Sequence, residues 1–561
     1  MLSSLRFAWL SLTLLATTAV AVLASEPAAT PPPAATASPN APATASAFPA
    51  DRPVAEAIDH FIDAKLTASG VSAAGPAPDG LLLRRTMLDL VGRIPTTYEL
   101  QTYVSTSDEK KREQWVDRLM ASPAFTRQQV DQFDTLLMAG TGGNLKGYLT
   151  QAFQENRPWN QMFRELMLGR DDDPEQKGAL QFVVRRAKDL DKLTNDVSVL
   201  FFGVNVSCAQ CHDHPLVEDW TQEHFYGMKS FFARTFDNGD FVGERDYGAL
   251  SYKTKEGENR DASLMFLDGR KVAEPASVEP NEEQKKAEKK LLEELKKDKK
   301  APPVPTFSRR AQLVETALQA GESRFFARSL VNQVWARFLG RGLVAPVDQM
   351  HSANPPSHPE LLDWLANDFI QSGYDIRRLV RGIVLSRAYA RDSVWTSNER
   401  PAAELFAVAG LRPLTPQQYA MLLRVATTNP EQFSGDVAAA DVEKRLEGLE
   451  GAARGLAGLF EQPGSDFQVS IDEALLMTNG ERIDKELLRD GRDSLVGKMA
   501  ATAETDAALE LAALAIFNRS LDETEKQPLR EYVLKRADRL NDAYRQVVWA
   551  MLMSGECRFN Y

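Results

Sequence analysis

Apolar residues recur at helical spacing from Val54 onward. In VAEAIDHFIDAKL, Val54, Ile58, Phe61, Ile62 and Leu66 share one face. LLLRRTMLDLVGRI repeats the pattern, and Gly92 followed by Pro95 ends it. The same reading predicts helices over 97–105, 108–120, 123–139, 158–168 and 190–204. TQEHFYGMKSFFAR forms another, with Thr221 as N-cap and Glu223 and His224 in its first turn. Near residue 236 the pattern breaks into short alternating runs punctuated by Gly, Asp and Asn, which predicts a β-rich insertion or long loops. A charged helix follows, NEEQKKAEKKLLEELKKDKK, with Asn281 and Gln284 as a capping box. Its near-neutral mixture of lysines and acids reads as a solvated face. Helical periodicity resumes near Phe307, with caps expected at Ser357-His358-Pro359-Glu360, Thr415-Pro416-Gln417-Gln418 and Ser520-Leu521-Asp522-Glu523. The predicted architecture is mostly α: helical domains over 53–235 and 307–561, with a small β- and loop-rich insert over 236–306.

The N-terminus differs in kind. Arg6, the apolar run from Phe7 to Ala24 and the small residues before Ser25 read as a cleavable signal peptide over 1–24. An uncleaved anchor is the rival reading, although Thr13, Thr17 and Thr18 dilute the run. Residues 25–52 are rich in Pro, Ala and Thr and should form an extended tether. The protein is therefore expected outside the cytoplasm, periplasmic or extracellular, with no membrane span after signal cleavage. The chain has 561 residues and a formal net charge of -12, which opposes nucleic-acid binding.

Export sharpens the question of the cysteines. The chain has only three cysteines and six histidines, yet NVSCAQCHDHPLVEDWTQEHFYGMKSFF holds Cys208, Cys211, His212, His214 and His224. Cys208-Ala-Gln-Cys211-His212 is the C-x-x-C-H pattern of c-type haem attachment. Two thiols at this spacing reach the two vinyl groups on one porphyrin edge, and the next residue supplies an axial imidazole. Candidates for the second axial ligand are His224, Met228, Met265, Met350 and His351, and spacing selects none. A bare zinc or iron site is the strongest rival: Cys208, Cys211, His212, His214 and His224 offer enough donors, with Asp213 or Glu223 behind them. A Cys208–Cys211 disulfide is a third reading, and a purely structural turn buttressed by Pro215 and Trp220 a fourth.

Other constellations are thinner. Asp348, His351 and His358 lie close in sequence, but His358 is better read as part of a helix start. Asp171-Asp172-Asp173 lacks the glycine and distal glutamate of a calcium loop and reads as an exposed turn. Arg and Asp inside the apolar strings RRTMLDL and GRGLVAPVD predict buried ion pairs that fix helix packing. No G-x-S-x-G, H-E-x-x-H or P-loop pattern occurs.

Several strings together resemble a known family pair. LLLRRTMLDLVGRIPTTYEL, VDRLMASPAF, NRPWNQMFRELMLG and FFGVNVSCAQCHDHPLVEDWTQEHFYGMKSFFA resemble the cytochrome-like DUF1549 domain of planctomycete-type bacteria. FFARSLVNQVWARFLGRGLVAPVDQM, PPSHPELLDWLANDFIQSGYDIRRLVRGIVLSRAY and VVWAMLMSGECRFN resemble the DUF1553 domain that commonly follows it. The resemblance spans roughly 53–235 and 307–557 and implies an exported protein without implying an activity. Cys208, Cys211, His212, Asp213, His214, Pro215 and Trp220 match its signature, whereas Leu216 and the VDQM string depart from it. Two functions follow as expectations. One is a haem c protein working with an extracytoplasmic redox or enzyme partner. The other is a zinc- or iron-dependent enzyme or structural module of an exported assembly, with polysaccharide as one substrate class.

Overall fold

The helix Asp79–Val91 organises the fold. Pro78 precedes it, and Gly92 ends it in the left-handed region at φ 71°. Its sequence carries Arg84, Arg85 and Asp89 among leucines, and all three charged side chains are buried. Burying a charge is costly unless it is paired, so each finds partners. Arg84 donates to the carbonyl of Ile516 and to Asn518 Oδ1. Arg85 donates to the carbonyls of Tyr561 and Arg391. Asp89 accepts two hydrogen bonds from Arg412, both 2.7 Å, one from the Tyr389 hydroxyl at 2.6 Å and one from Asn560 at 2.9 Å. Of the buried ion pairs expected from RRTMLDL, one is present, Asp89 with Arg412, whereas Arg84 and Arg85 are satisfied by carbonyls and Asn518; together these bonds tie this early helix to the last third of the chain. In GRGLVAPVD no such pair forms, because Arg341 is exposed.

This computed structural model describes residues 48–561, apart from 171–172, 215–216, 320–323, 398 and 464–466. The expected signal segment, the tether up to residue 47, and Asp171 and Asp172 of the acidic run lie outside the described residues. Contacts divide the chain into Met1–Phe48 and Pro49–Tyr561. The second unit is mostly α-helical, as the periodicity predicts. The predicted helices appear as Thr97–Ser105, Lys111–Met120, Pro123–Met138, Trp159–Leu168 and Leu190–Phe202. Helix Val54–Ala68 packs on Pro359–Gln371 and Ile376–Leu385. Toward the C-terminus, Pro416–Thr427, Thr505–Ile516 and Leu540–Leu552 enclose a core that also takes in Leu88 and Ile94. Among the described residues no helix is long and apolar enough to cross a membrane.

The β-content is small, and each sheet has two antiparallel strands. Thr235–Asn238 pairs with Phe241–Glu244, starting one residue before the expected insert, and Ser251–Lys253 pairs with Asn259–Asp261 inside it. Arg412–Pro413 pairs with Phe559–Asn560. The first hairpin delivers the buried Glu244 to the N-terminus of helix Arg309–Leu318. There its carboxylate accepts the Arg309 and Arg310 amides and the Ser308 hydroxyl. A carboxylate suits the positive end of a helix. The helix Glu282–Lys297 has its Asn281–Gln284 capping box and buries no residue, in keeping with a solvated face. Thr415 and Gln418 also form a capping box. Helix Pro359–Gln371 differs from expectation: its N-cap is His358, and no side chain caps it.

Candidate functional site

The C-x-x-C-H turn is built from its flanks inward. Helix Leu190–Phe202 stops at Gly203, which takes φ 69°. A Cβ there would lie 2.9 Å from Met350 Sδ, so glycine serves both the left-handed turn and the close approach. The chain then runs alongside residues 348–350. Asn205 N–H donates to the Asp348 carbonyl at 2.9 Å, and Met350 N–H to the Gly203 carbonyl at 3.0 Å. Asn205 Nδ2 also reaches Asp348 Oδ2 at 3.3 Å. On its other side, Asn205 Oδ1 accepts the Ser207 amide at 3.1 Å and the Ser207 hydroxyl at 2.6 Å. This Asx turn opens the 3-10 turn Ser207–Gln210.

Cys208 lies within this turn and Cys211 is the residue that ends it. Both are exposed free thiols, and Ala209 between them is buried. The disulfide expected as one alternative is not formed. His212 is exposed and places Nδ1 2.6 Å from the Asp213 carbonyl. A carbonyl can only accept, so Nδ1 carries a proton and the neutral ring keeps its lone pair at Nε2.

The remaining polar residues of the stretch have structural partners. Asp213 Oδ1 accepts the Gln222 amide at 2.8 Å and so caps helix Gln222–Ser230. His214 N–H donates to the Trp220 carbonyl at 2.7 Å, closing the loop. His224 completes a capping box: its Nδ1 lies 2.9 Å from Thr221 Oγ1 and accepts the Thr221 amide at 3.3 Å. An Nδ1 that accepts leaves the ring proton on Nε2, so neither nitrogen offers a metal a lone pair. Burial also pushes the His224 pKa down. Glu223 is paired with Lys271 at 2.7 Å. The set Cys208, Cys211, His212, His214 and His224 is therefore not brought together as a metal cage. Among the described residues no group of three or more His, Cys, Asp or Glu side chains is placed to hold an ion.

The structure does bring in residues that spacing alone misses. Asp219 accepts the Ser352 amide at 2.7 Å and its hydroxyl at 2.5 Å. His351, between Met350 and Ser352, is half-buried. Burial lowers its pKa, His214 pushes the same way, and Asp219 opposes both. Residues 348–352 thus grip the motif on both flanks. The Asn-x-Ser pattern at 205–207 is a readable Asx signal, but nothing local announces the partnership of Asp219 with Ser352.

Residues 57–237 match the family described as a protein of unknown function (DUF1549), and residues 309–548 match that described as a protein of unknown function (DUF1553). The chain belongs to the DUF1549 and DUF1553 families. The DUF1549 match carries the C-x-x-C-H turn and Asp219, and the DUF1553 match carries Asp348, His351 and Ser352. The site is assembled from both. Neither the curated proteins nor the solved structures contain a match to this DUF1549–DUF1553 chain.

Proposed function

We propose that the protein is an exported cytochrome-like carrier that attaches haem c through Cys208 and Cys211, with His212 as the proximal ligand. The observation that carries this reading is the turn itself. Both thiols are free and exposed, and His212 holds its δ proton on a backbone carbonyl with Nε2 left to ligate. Hydrogen-bonding the second ring nitrogen to a carbonyl is how ligating histidines are oriented. Covalent attachment requires access to both sulfurs, which a turn packed beneath helices would deny. Bound haem supplies one-electron redox chemistry. The chain's own residues anchor and orient the group: Asn205 holds the turn, and Asp213 and Trp220 fix the loop behind His212. The partner would be another extracytoplasmic redox protein or an enzyme. The bare-metal alternative has less support, since its donors are not gathered.

The test is expression of the full chain in a host with cytochrome c maturation machinery, followed by haem staining of a denaturing gel. The wild-type band stains and the Cys208→Ala/Cys211→Ala band does not. An unstained wild-type band in a host that matures a control cytochrome contradicts the proposal.

A further inference from the structure

A separate cleft opens where helix Phe325–Leu339 ends. Gly340 closes the helix in the left-handed region at φ 83°, and Arg341 follows. The facing wall comes from the segment 400–411, and the free volume between them is about 110 Å³. Leu339, Phe406 and Ala407 line it and are buried, which gives an apolar floor. Arg341 and Arg400 also line it and are exposed.

The facing wall is firmly held. Phe406 takes φ 51°, a left-handed conformation that a bulky residue rarely adopts. Its carbonyl accepts from the buried Arg391 at 2.6 Å, and its ring packs on Trp335 and His358 with centroids 5.2 and 5.7 Å away. The Ala407 carbonyl accepts the Ala74 amide at 2.8 Å, and Ala409 N–H donates to the Asp392 carbonyl at 3.0 Å. Backbone strain of this kind persists only where its surroundings over-determine it, and it clusters at ligand sites. The cleft is thus preformed, as small-molecule sites usually are.

The positive charge at the cleft is unspent. Among the described residues Arg341 has no hydrogen bond or ion pair, and Arg400 makes one bond, from Nη2 to the Ala409 carbonyl at 3.2 Å. The helix end offsets them little, because the Ala336 and Arg337 carbonyls are taken by the Gly340 amide and by Arg412. Two guanidinium groups beside an apolar floor match an anion with an apolar body.

We infer that this cleft binds a small carboxylic acid, its carboxylate on Arg341 and Arg400 and its hydrocarbon part on Leu339, Phe406 and Ala407. The planar fork of a guanidinium is the donor best matched to a carboxylate. A closed apolar cavity of about 150 Å³ holds benzene, so an open cleft of about 110 Å³ takes a body of about one ring and not a polymer chain. The site lies wholly within the DUF1553 match and stands independently of the haem reading.

The test is a saturation-transfer NMR titration of the full-length protein with benzoate. Wild type binds benzoate at one saturable site. Benzamide keeps the ring without the charge, acetate keeps the charge without the ring, and neither competes at equal concentration. Arg341→Gln and Arg400→Gln each weaken benzoate about tenfold, the worth of one charge-assisted hydrogen bond. Both side chains are exposed, and an unchanged thermal midpoint shows that the variants are folded. No binding to wild type, equal competition by benzamide or acetate, or undiminished affinity in a folded Arg341→Gln/Arg400→Gln protein overturns the inference.

Discussion

Asn205 and Asp348 are joined twice, backbone to backbone at 2.9 Å and side chain to side chain at 3.3 Å. This pair fastens the turn that carries Cys208, Cys211 and His212 to the DUF1553 half of the molecule. Asn205 also holds both polar groups of Ser207. Asn205→Ala removes these side-chain bonds while the backbone bond persists. It should cost about 1 kcal/mol, the usual worth of a capping side chain. Hydrogen exchange followed by mass spectrometry checks this, with faster exchange over 206–212 and little change in the helix Asp79–Val91.

A second prediction concerns the buried hub. Asp89 neutralises Arg412 and also accepts from Tyr389 and Asn560. Asp89→Ala leaves the guanidinium buried without a counter-charge, which costs about 3–5 kcal/mol. The double variant Asp89→Ala/Arg412→Met removes both charges and should be less destabilised than Asp89→Ala alone. Urea denaturation of the three proteins measures the difference.

His358 predicts a pH dependence. It is buried beside Phe406, its Nδ1 lies 3.1 Å from Ser357 Oγ, and burial lowers its pKa from 6.5 to about 4, with Lys65 adding to the shift. The unfolded chain therefore binds the proton more tightly than the folded one. Stability from the neutral ring is complete above the unfolded value of 6.5 and is lost as pH falls through the window down to about 4. The loss is at most about 3 kcal/mol at 1.36 kcal/mol per pKa unit. Thermal melts across this range should fall more steeply for wild type than for His358→Gln, since carboxylate titration is common to both. Parallel curves would show that His358 is accessible to protons in the folded state.

Much of the fold can be read from local pattern, because helices with an apolar stripe declare themselves over a few turns. Val54–Ala68, Thr97–Ser105 and Trp159–Leu168 are of this kind. Arg84, Arg85 and Asp89 within an apolar run announce that they are buried and paired, but their partners lie hundreds of residues away and no local rule names them. The site divides in the same way. C-x-x-C-H is visible as a string, and the capping role of Thr221 follows from its position. The part taken by His224 in that cap was less visible, because histidine is an uncommon member of a capping box and a common metal ligand. Asp219 and Ser352 are joined only by the tertiary fold. Their spacing therefore carries no signal.

Covalent attachment at Cys208 and Cys211 is the claim on which the rest of the functional account depends. The most direct measurement is the intact mass of the full-length protein purified from a maturation-competent host, followed by mapping of the peptide that spans 205–214. The account predicts the mass excess of one haem, carried entirely on that peptide and absent from Cys208→Ala/Cys211→Ala. An unmodified peptide, a peptide lighter by the hydrogen pair lost on forming a Cys208–Cys211 disulfide, or a colourless protein holding stoichiometric zinc would contradict it.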